Sequence, residues 1–516
     1  MAAGTDDVFQ RDFATFSQIV GWRAEAVPDK PALADPSESA TYSELDRDAT
    51  LIAATLQQAG IVKGDTVAIC ALNSVRYVVA MLGILRAGAV IAPIAPSSTP
   101  DSICVQIVDS AAKLLFLDMA SDACLQASTV GVPIERVVLD DPAAPCGLAA
   151  WLARDAVFVP VDVGPDDAFN IIYSSGTTGV PKGIVHSHAM RWAHISRATY
   201  PADAVTLAST PLYSNTTLVS VIPALAAGGT VILMPRFDAR IYLELAEQYR
   251  VTHTMLVPVQ YRRLLDDPTF DDRDLHTFRV KFVTSSPFDA DLKQEVLDRW
   301  PGGLVEFYGS TEGGGVCALA AHEHPDKLHT VGKPLPEHDI RLIDQDGREV
   351  APGQIGEIVG RSGAMMLGYH RRADLTAETE WHGPNGDRFI RSGDLGRFDE
   401  DGFLVLMGRK KDVIISGGFN IYPGDLEQAL RDHPVVGDAA VIGVPSRIWG
   451  ETPVGFVTLR HPGEISAHEL RDVANASLGK MQRLSEVRIV KALPRSPIGK
   501  VLKTQLKDDF LRTSRE

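Results

Sequence analysis

Cysteine is scarce in this chain and carries no pattern. The five residues, Cys70, Cys104, Cys124, Cys146 and Cys317, are odd in number and include no CxxC pair. A disulfide framework and a zinc site are both disfavoured, and a reducing cytoplasm is the expected setting. Positive charge is also short. The net charge of −16 argues against general nucleic-acid binding, while a local site for a small anion stays open. The opening MAAGTDDVFQRDF is acidic and has no basic stretch before an apolar core, so no secretory signal is expected. Long uninterrupted apolar runs are missing too. Residues 78–94 are broken by Arg86 and Gly88, and residues 218–234 by Pro223, Gly228 and Gly229. Each stretch reads as a buried helix, a glycine turn and a buried strand, and no membrane span is expected.

What remains has the composition of an ordinary globular protein, 45% hydrophobic and 22% charged. At 516 residues the chain exceeds what one hydrophobic core usually organises, so two or more domains are expected. Up to about residue 408, helical patterns alternate with short β-branched runs, the mark of α/β layering. Residues 41–60 show a Thr41/Glu44 capping box, helical apolar spacing and a stop at Gly60, followed by strand-like TVAICAL at 66–72. The alternation recurs at 243–250 before 252–257, and at 290–300 before 304–309. No short fixed-period repeat is present, which disfavours a solenoid. Beyond the charged connector GRKKD (408–412), short strands are expected at 412–416, 439–444, 455–460 and 486–490. Helices are expected from about Pro423 and over 466–477. The predicted fold class is α/β, with a large multi-subdomain N-terminal α/β domain over 1–408 and a small α+β domain over 409–516.

The richest segment is IIYSSGTTGVPKG, residues 171–183. Glycines let backbone N–H groups converge on an anion, hydroxyls add donors and Lys182 adds charge, which suits a polyphosphate cradle. The GxxxxGK[ST] loop is absent, since the Gly-to-Lys spacing fails and Gly183 stands where a Ser or Thr should be. In FYGSTEGG (307–314) an aromatic beside glycine can stack on a base, and Thr311 and Glu312 offer oxygen ligands to a hard cation. RSGDLG (391–396) presents Asp394, a carboxylate able to accept from two hydroxyls. Alone, Asp394 would read as a turn residue and 408–412 as a solvated charge run. ISGGFNIYPGDLE (415–427) has no side chain at Gly417 and Gly418 to block a thin ligand arm. LPRSPIGKVLK (493–503) sets Lys500 after a turn controlled by proline and glycine.

Together and in this order, these segments resemble the adenylate-forming superfamily, which includes AMP-forming acyl- and aryl-CoA synthetases, firefly luciferase and peptide-synthetase adenylation domains. The resemblance spans nearly the whole chain. It implies that a carboxylic acid is activated with ATP and passed to coenzyme A, with Mg²⁺ present, between the large domain and a mobile C-terminal lid. Ser174, Ser175, Gly176, Thr177, Thr178, Gly179 and Lys182 would bind the phosphates of ATP. Tyr308 would stack on adenine and Thr311 would contact the α-phosphate. Thr177 and Glu312 would hold the metal, and Asp394 and Arg409 would reach the ribose or phosphates. Lys411 would be the hinge, Gly417 and Gly418 would line the CoA tunnel, and Lys500 would bridge the substrate carboxylate and the α-phosphate. Tyr213, Thr216, Phe307, Gly313 and Gly314 are the implied acyl-pocket positions. Segments 87–94 and 356–369 read as scaffold.

One departure stands out. Relatives that make CoA esters often carry histidine where PLYSNTT (211–217) has Ser214, which weakens substrate inference. Small glycines and few charges favour an aryl or medium-chain acid. The rival functions are loading of a separate carrier protein, a luciferase-like oxidation, and a nucleotide-binding regulator with an inactive site. No Gly-Gly-x-Ser carrier attachment motif occurs. The Pro494 and Gly499-Lys500 pattern also resembles a site silenced by lysine acetyltransferases, which names such an enzyme as a partner acting on Lys500.

Overall fold

The computed structural model describes residues 8–141, 144, 146–174, 182–416, 419–461, 463, 465–479, 482–496 and 499–513. The chain forms two compact units. The first comprises residues 1–328, 335–338 and 361–380, and the second 329–334, 339–360 and 381–516. The expected boundary at 408/409 lies elsewhere than this division. Strand Arg388–Phe398 pairs with Gly356–Arg361 on one side and Leu404–Arg409 on the other, in a sheet whose strands lie within residues 339–409.

The first unit holds two largely parallel sheets. In one, Gly303–Tyr308, Val280–Val283, His253–Leu256, Val205–Ala208, Thr230–Leu233 and Pro31–Ala34 run parallel. Cys317–Ala320 and Ser39–Thr41 pair antiparallel with Gly303–Tyr308 and Pro31–Ala34 respectively. The other sheet orders Gly368–Tyr369, Lys182–Ser187, Ala168–Ser174, Val90–Pro93, Thr66–Cys70, Leu114–Leu117 and Glu135–Val138. The central strands Thr66–Cys70 and Leu114–Leu117 are buried along their whole length, as parallel strands covered on both faces should be.

Local signals acted as chemistry dictates. Thr41 caps helix Tyr42–Gln58, accepting from the Glu44 N–H while the Glu44 carboxylate accepts from the Thr41 N–H. Residues 78–94 fall in helix Val75–Arg86 and strand Val90–Pro93, and 218–234 in helix Asn215–Ala226 and strand Thr230–Leu233. No helix among the described residues is long and apolar enough to cross a membrane. In the second unit, Val436–Ser446 and Gly450–Leu459 form a long antiparallel pair, and Glu486–Ile489 runs parallel to the latter. Helices Pro423–Arg431 and Ala467–Ser477 add Leu426, Leu430, Leu470 and Ala474 to that core.

Candidate active site

Strand Lys182–Ser187 carries the described end of the glycine- and hydroxyl-rich segment. Ser175, Gly176, Thr177, Thr178 and Gly179 lie outside the described residues, as does the side chain of Ser174. Lys182–Ser187 pairs with Gly368–Tyr369, matching Tyr369 to Ile184. That pairing assembles a cluster distant in sequence. The Lys182 ammonium lies 5.5 Å from the Tyr369 ring centroid, and the Tyr369 hydroxyl donates to Glu312 Oε1 at 2.8 Å. Burial first, then the Glu312 charge and hydrogen bond, push the Tyr369 pKa up, so the phenol stays a donor at neutral pH. Glu312 has no ion-pair partner among the described residues.

The turn bearing Glu312 is tightly held. Met366 N–H donates to the Glu312 carbonyl at 2.9 Å and Gly313 bridges Met365. A Cβ at Gly313, where φ is +80°, would lie 2.0 Å from the Ala364 carbonyl oxygen. Glycine is required there by the approach of a neighbouring backbone. The Thr311 carbonyl accepts from Nε2 of His186 at 2.7 Å. Among the described residues no group of three His, Cys, Asp or Glu side chains could hold a metal. Magnesium is commonly held by one or two carboxylates plus substrate phosphates, so the Glu312 carboxylate, in no ion pair among the described residues, fits that ion.

The implied acyl-pocket residues all lie in the first unit. Ser214 caps helix Asn215–Ala226, accepting from the Thr216 N–H at 3.3 Å. That capping role gives serine at this position a structural purpose. The Thr216 and Ser285 hydroxyls are 2.6 Å apart, and Ser285 holds φ at +83°, an uncommon conformation for a residue with a side chain. Burial raises the Tyr213 pKa, against a hydrogen bond with Ser97. Phe307, opposite Ala318, stacks in a tilted contact 5.8 Å from Phe282, which meets Tyr200 at 5.9 Å. Tyr308 ends its strand opposite Cys317 and is half-buried.

The second unit holds a separate cluster. Asp394 and Arg409 face each other across antiparallel strands, with Arg409 Nε 2.8 Å from Asp394 Oδ1. Arg409 also donates to the Ser392 carbonyl at 3.0 Å, and the Asp394 N–H donates to the Ser392 hydroxyl at 3.0 Å. Beside the expected hinge residue Lys411, Lys410 pairs with the buried Glu357 at 2.8 Å, and Glu357 also meets Arg391 at 2.9 Å. Lys500 follows a turn in which Gly499, at φ +80°, donates to the Ser496 carbonyl at 2.8 Å. Its ammonium is crowded by protein, although the residue keeps exposed surface. Desolvation lowers its pKa first, then repulsion from Arg409 and Lys411, while Asp394 and Asp412 oppose the shift. Lys500, Asp394, Arg409 and Lys411 are thus electrostatic neighbours. Gly417 and Gly418 lie outside the described residues.

The profile of a family described as AMP-binding enzyme matches residues 20–370, and that of the AMP-binding enzyme C-terminal domain matches residues 425–500. The chain belongs to the AMP-binding enzyme family. It is 33% identical to 4-coumarate–CoA ligase-like 9 of Oryza sativa subsp. japonica, over 97% of this chain and 94% of that one. It is 31% identical to the fatty acid–[acyl-carrier-protein] ligase ScoC of Streptomyces coeruleorubidus, over 98% of both chains. The ATP-bound crystal structure of MatB from Rhodopseudomonas palustris superposes with a TM-score of 0.86 at 29% identity, covering 96% of this chain and 99% of that one. The fold is that of the adenylate-forming AMP-binding enzymes, with a large N-terminal and a small C-terminal domain.

Within this AMP-binding enzyme, sequence reasoning missed Tyr369 by treating 356–369 as scaffold. Its signal was weak: one aromatic ending an apolar strand, whose partner Glu312 is 57 positions away. His186 and Arg191 were also missed, because a histidine on a strand and an arginine on a helix are expected to face solvent, yet both are buried.

Proposed function

We propose that the protein activates a carboxylic acid in two steps. A carboxylate oxygen attacks the α-phosphorus of ATP, forming acyl-adenylate and releasing pyrophosphate. The sulfur of coenzyme A then attacks the acyl carbon, forming the thioester and releasing AMP. The observation that carries this reading is the electrostatic neighbourhood of Lys500, Asp394 and Arg409. A carboxylate able to accept from both ribose hydroxyls would stand beside a cation suited to the negative charge gathering at the α-phosphate. Thr177 and Glu312 would hold Mg²⁺, which supplies charge neutralisation to the phosphates when bound. Tyr308 would stack on adenine, Thr311 would meet the α-phosphate, and residues 174–182 would cradle the leaving group.

For the second step the C-terminal region would turn about Lys411, withdrawing Lys500 and presenting the segment around Gly417 and Gly418 to the thiol. The Glu357 ion pairs that anchor Lys410 support a pivot immediately beyond it. A thiol with pKa near ~8.5 is partly ionised at neutral pH, so no dedicated base is required. The aromatic neighbourhood of Phe307 and the half-buried Tyr213 support an aryl or medium-chain acid, in keeping with similarity to a protein named for 4-coumarate. The scattered free cysteines support a cytoplasmic setting. Acetylation of Lys500 would remove its charge and stop adenylation, although the relatives lend an acetyltransferase partner no support. Similarity to a carrier-protein ligase favours a second reading, in which a carrier's thiol replaces that of coenzyme A. Incubating the protein with ATP, Mg²⁺ and a panel of carboxylates tests the reading. Acid-dependent pyrophosphate should appear, and coenzyme A should be acylated. Acylation of a phosphopantetheinyl carrier alone would favour the second reading.

A further inference from the structure

Behind the Thr311–Glu312 turn, the AMP-binding enzyme carries a buried arginine without a carboxylate. Arg191, on helix His188–Ser196, is 1% exposed. Its Nη1 donates to Asn215 Oδ1 at 2.7 Å and its Nη2 to Asn170 Oδ1 at 2.7 Å. Nη2 also lies 2.9 Å from Nδ1 of the fully buried His186. No ion pair to Arg191 occurs among the described residues. Burying a cation with only neutral partners is expensive, so such a group is expected where its geometry matters.

The network can be protonated in only one way. Guanidinium groups only donate, so His186 Nδ1 accepts, and a neutral ring then carries its proton on Nε2. That proton meets the Thr311 carbonyl at 2.7 Å, a group that only accepts. Burial first, then the neighbouring Arg191 charge, hold the His186 pKa well below its ordinary value and keep this tautomer in place. At its other end the network grips Asn215, the first residue of the helix that carries Thr216. One continuous chain of donors and acceptors therefore runs from the helix bearing an implied acyl-pocket residue to the turn bearing the implied nucleotide and metal contacts.

We propose that Arg191 and His186 are positioning residues that hold the Thr311–Glu312 turn in register with the start of the Asn215–Ala226 helix. The nucleotide and acid contacts of the site are then set by one buried network. This inference rests on the reading of Thr311 and Glu312 as nucleotide and metal contacts.

The test is calorimetric binding of α,β-methylene-ATP with Mg²⁺ to the full chain, at temperatures well below each variant's melting point. His186→Leu removes both the acceptor and the donor, and should weaken binding about tenfold, the scale of losing a buried hydrogen bond at each end. His186→Gln offers an amide oxygen to Arg191 and an amide N–H to Thr311, and should recover most of that loss. Arg191→Lys keeps the charge but cannot reach Asn215, Asn170 and His186 together. It should weaken binding about threefold or more, and it serves if His186→Leu does not fold. Because His186 stays neutral, wild type and His186→Gln should show parallel affinities between roughly pH 5.5 and 8. Wild-type affinity in folded His186→Leu or Arg191→Lys would overturn the proposal, as would a wild-type titration near pH ~6.5 that His186→Gln abolishes. Failure of the wild-type protein to bind the analogue would overturn the nucleotide reading itself, and this inference with it.

Discussion

Glu312 and Asp394 are both carboxylates assigned to one ligand, yet they are built in opposite ways. Glu312 is steadied by a neutral phenol, on a turn pinned from behind by His186, and has no ion-pair partner among the described residues. Asp394 is paired with Arg409 across a strand ladder and lies beside Lys500. The difference matches what each would meet. A carboxylate oriented by a neutral donor keeps its whole charge for a divalent cation. A carboxylate already paired with a cation still has lone pairs for neutral hydroxyls.

Neutralising each acid tests the comparison. Glu312→Gln keeps the shape but removes the charge, and should lower the adenylation rate by about 10²–10³, comparable to losing one preorganised electrostatic contact. Added Mg²⁺ should recover little of it. Measuring pyrophosphate release across a magnesium series checks this, and equal losses in kcat for Glu312→Gln and Asp394→Asn would erase the distinction. Asp394→Asn should act mainly on nucleotide affinity, raising KM for ATP about tenfold. Next in size is a pH effect. Desolvation and the Arg409 and Lys411 charges lower the Lys500 pKa, so its ammonium is lost at lower pH than that of a free lysine. Adenylation should decline on the alkaline side as that proton leaves, and Lys500→Arg should move the decline to higher pH. A rate profile with no alkaline limb in wild type would contradict the role. The smallest effect should come from Tyr369→Phe, which frees the Glu312 side chain without changing its charge. A loss of about threefold in rate is expected, with a higher Mg²⁺ requirement.

Much of this molecule was legible from local chemistry. Thr41 and Glu44 closed their capping box three residues apart, and Ser466 and Glu469 did the same at helix Ala467–Ser477. Strands such as Gly303–Tyr308 and Glu486–Ile489 formed where β-branched runs announced them. What the pattern could not show were meetings arranged by sheet pairing. Tyr369 reaches Glu312 only because Gly368–Tyr369 adds to the edge of Lys182–Ser187. Strand Arg388–Phe398 likewise meets Gly356–Arg361 only through sheet pairing. At Gly313 the Ala364 carbonyl fills the place where a side chain would go. Spacing along a chain carries helix caps and strand alternation; it carries no information about which distant backbone closes over a glycine.

The central claim is acid-dependent adenylation with Lys500 as its cation. The most direct measurement compares wild type with Lys500→Ala in two assays: pyrophosphate release from an accepted carboxylic acid and ATP, and thioester formation from coenzyme A and the ready-made acyl-adenylate. The account predicts a loss of about 10²–10³ in the first assay and near-wild-type turnover in the second. Near-wild-type pyrophosphate release by folded Lys500→Ala would contradict it.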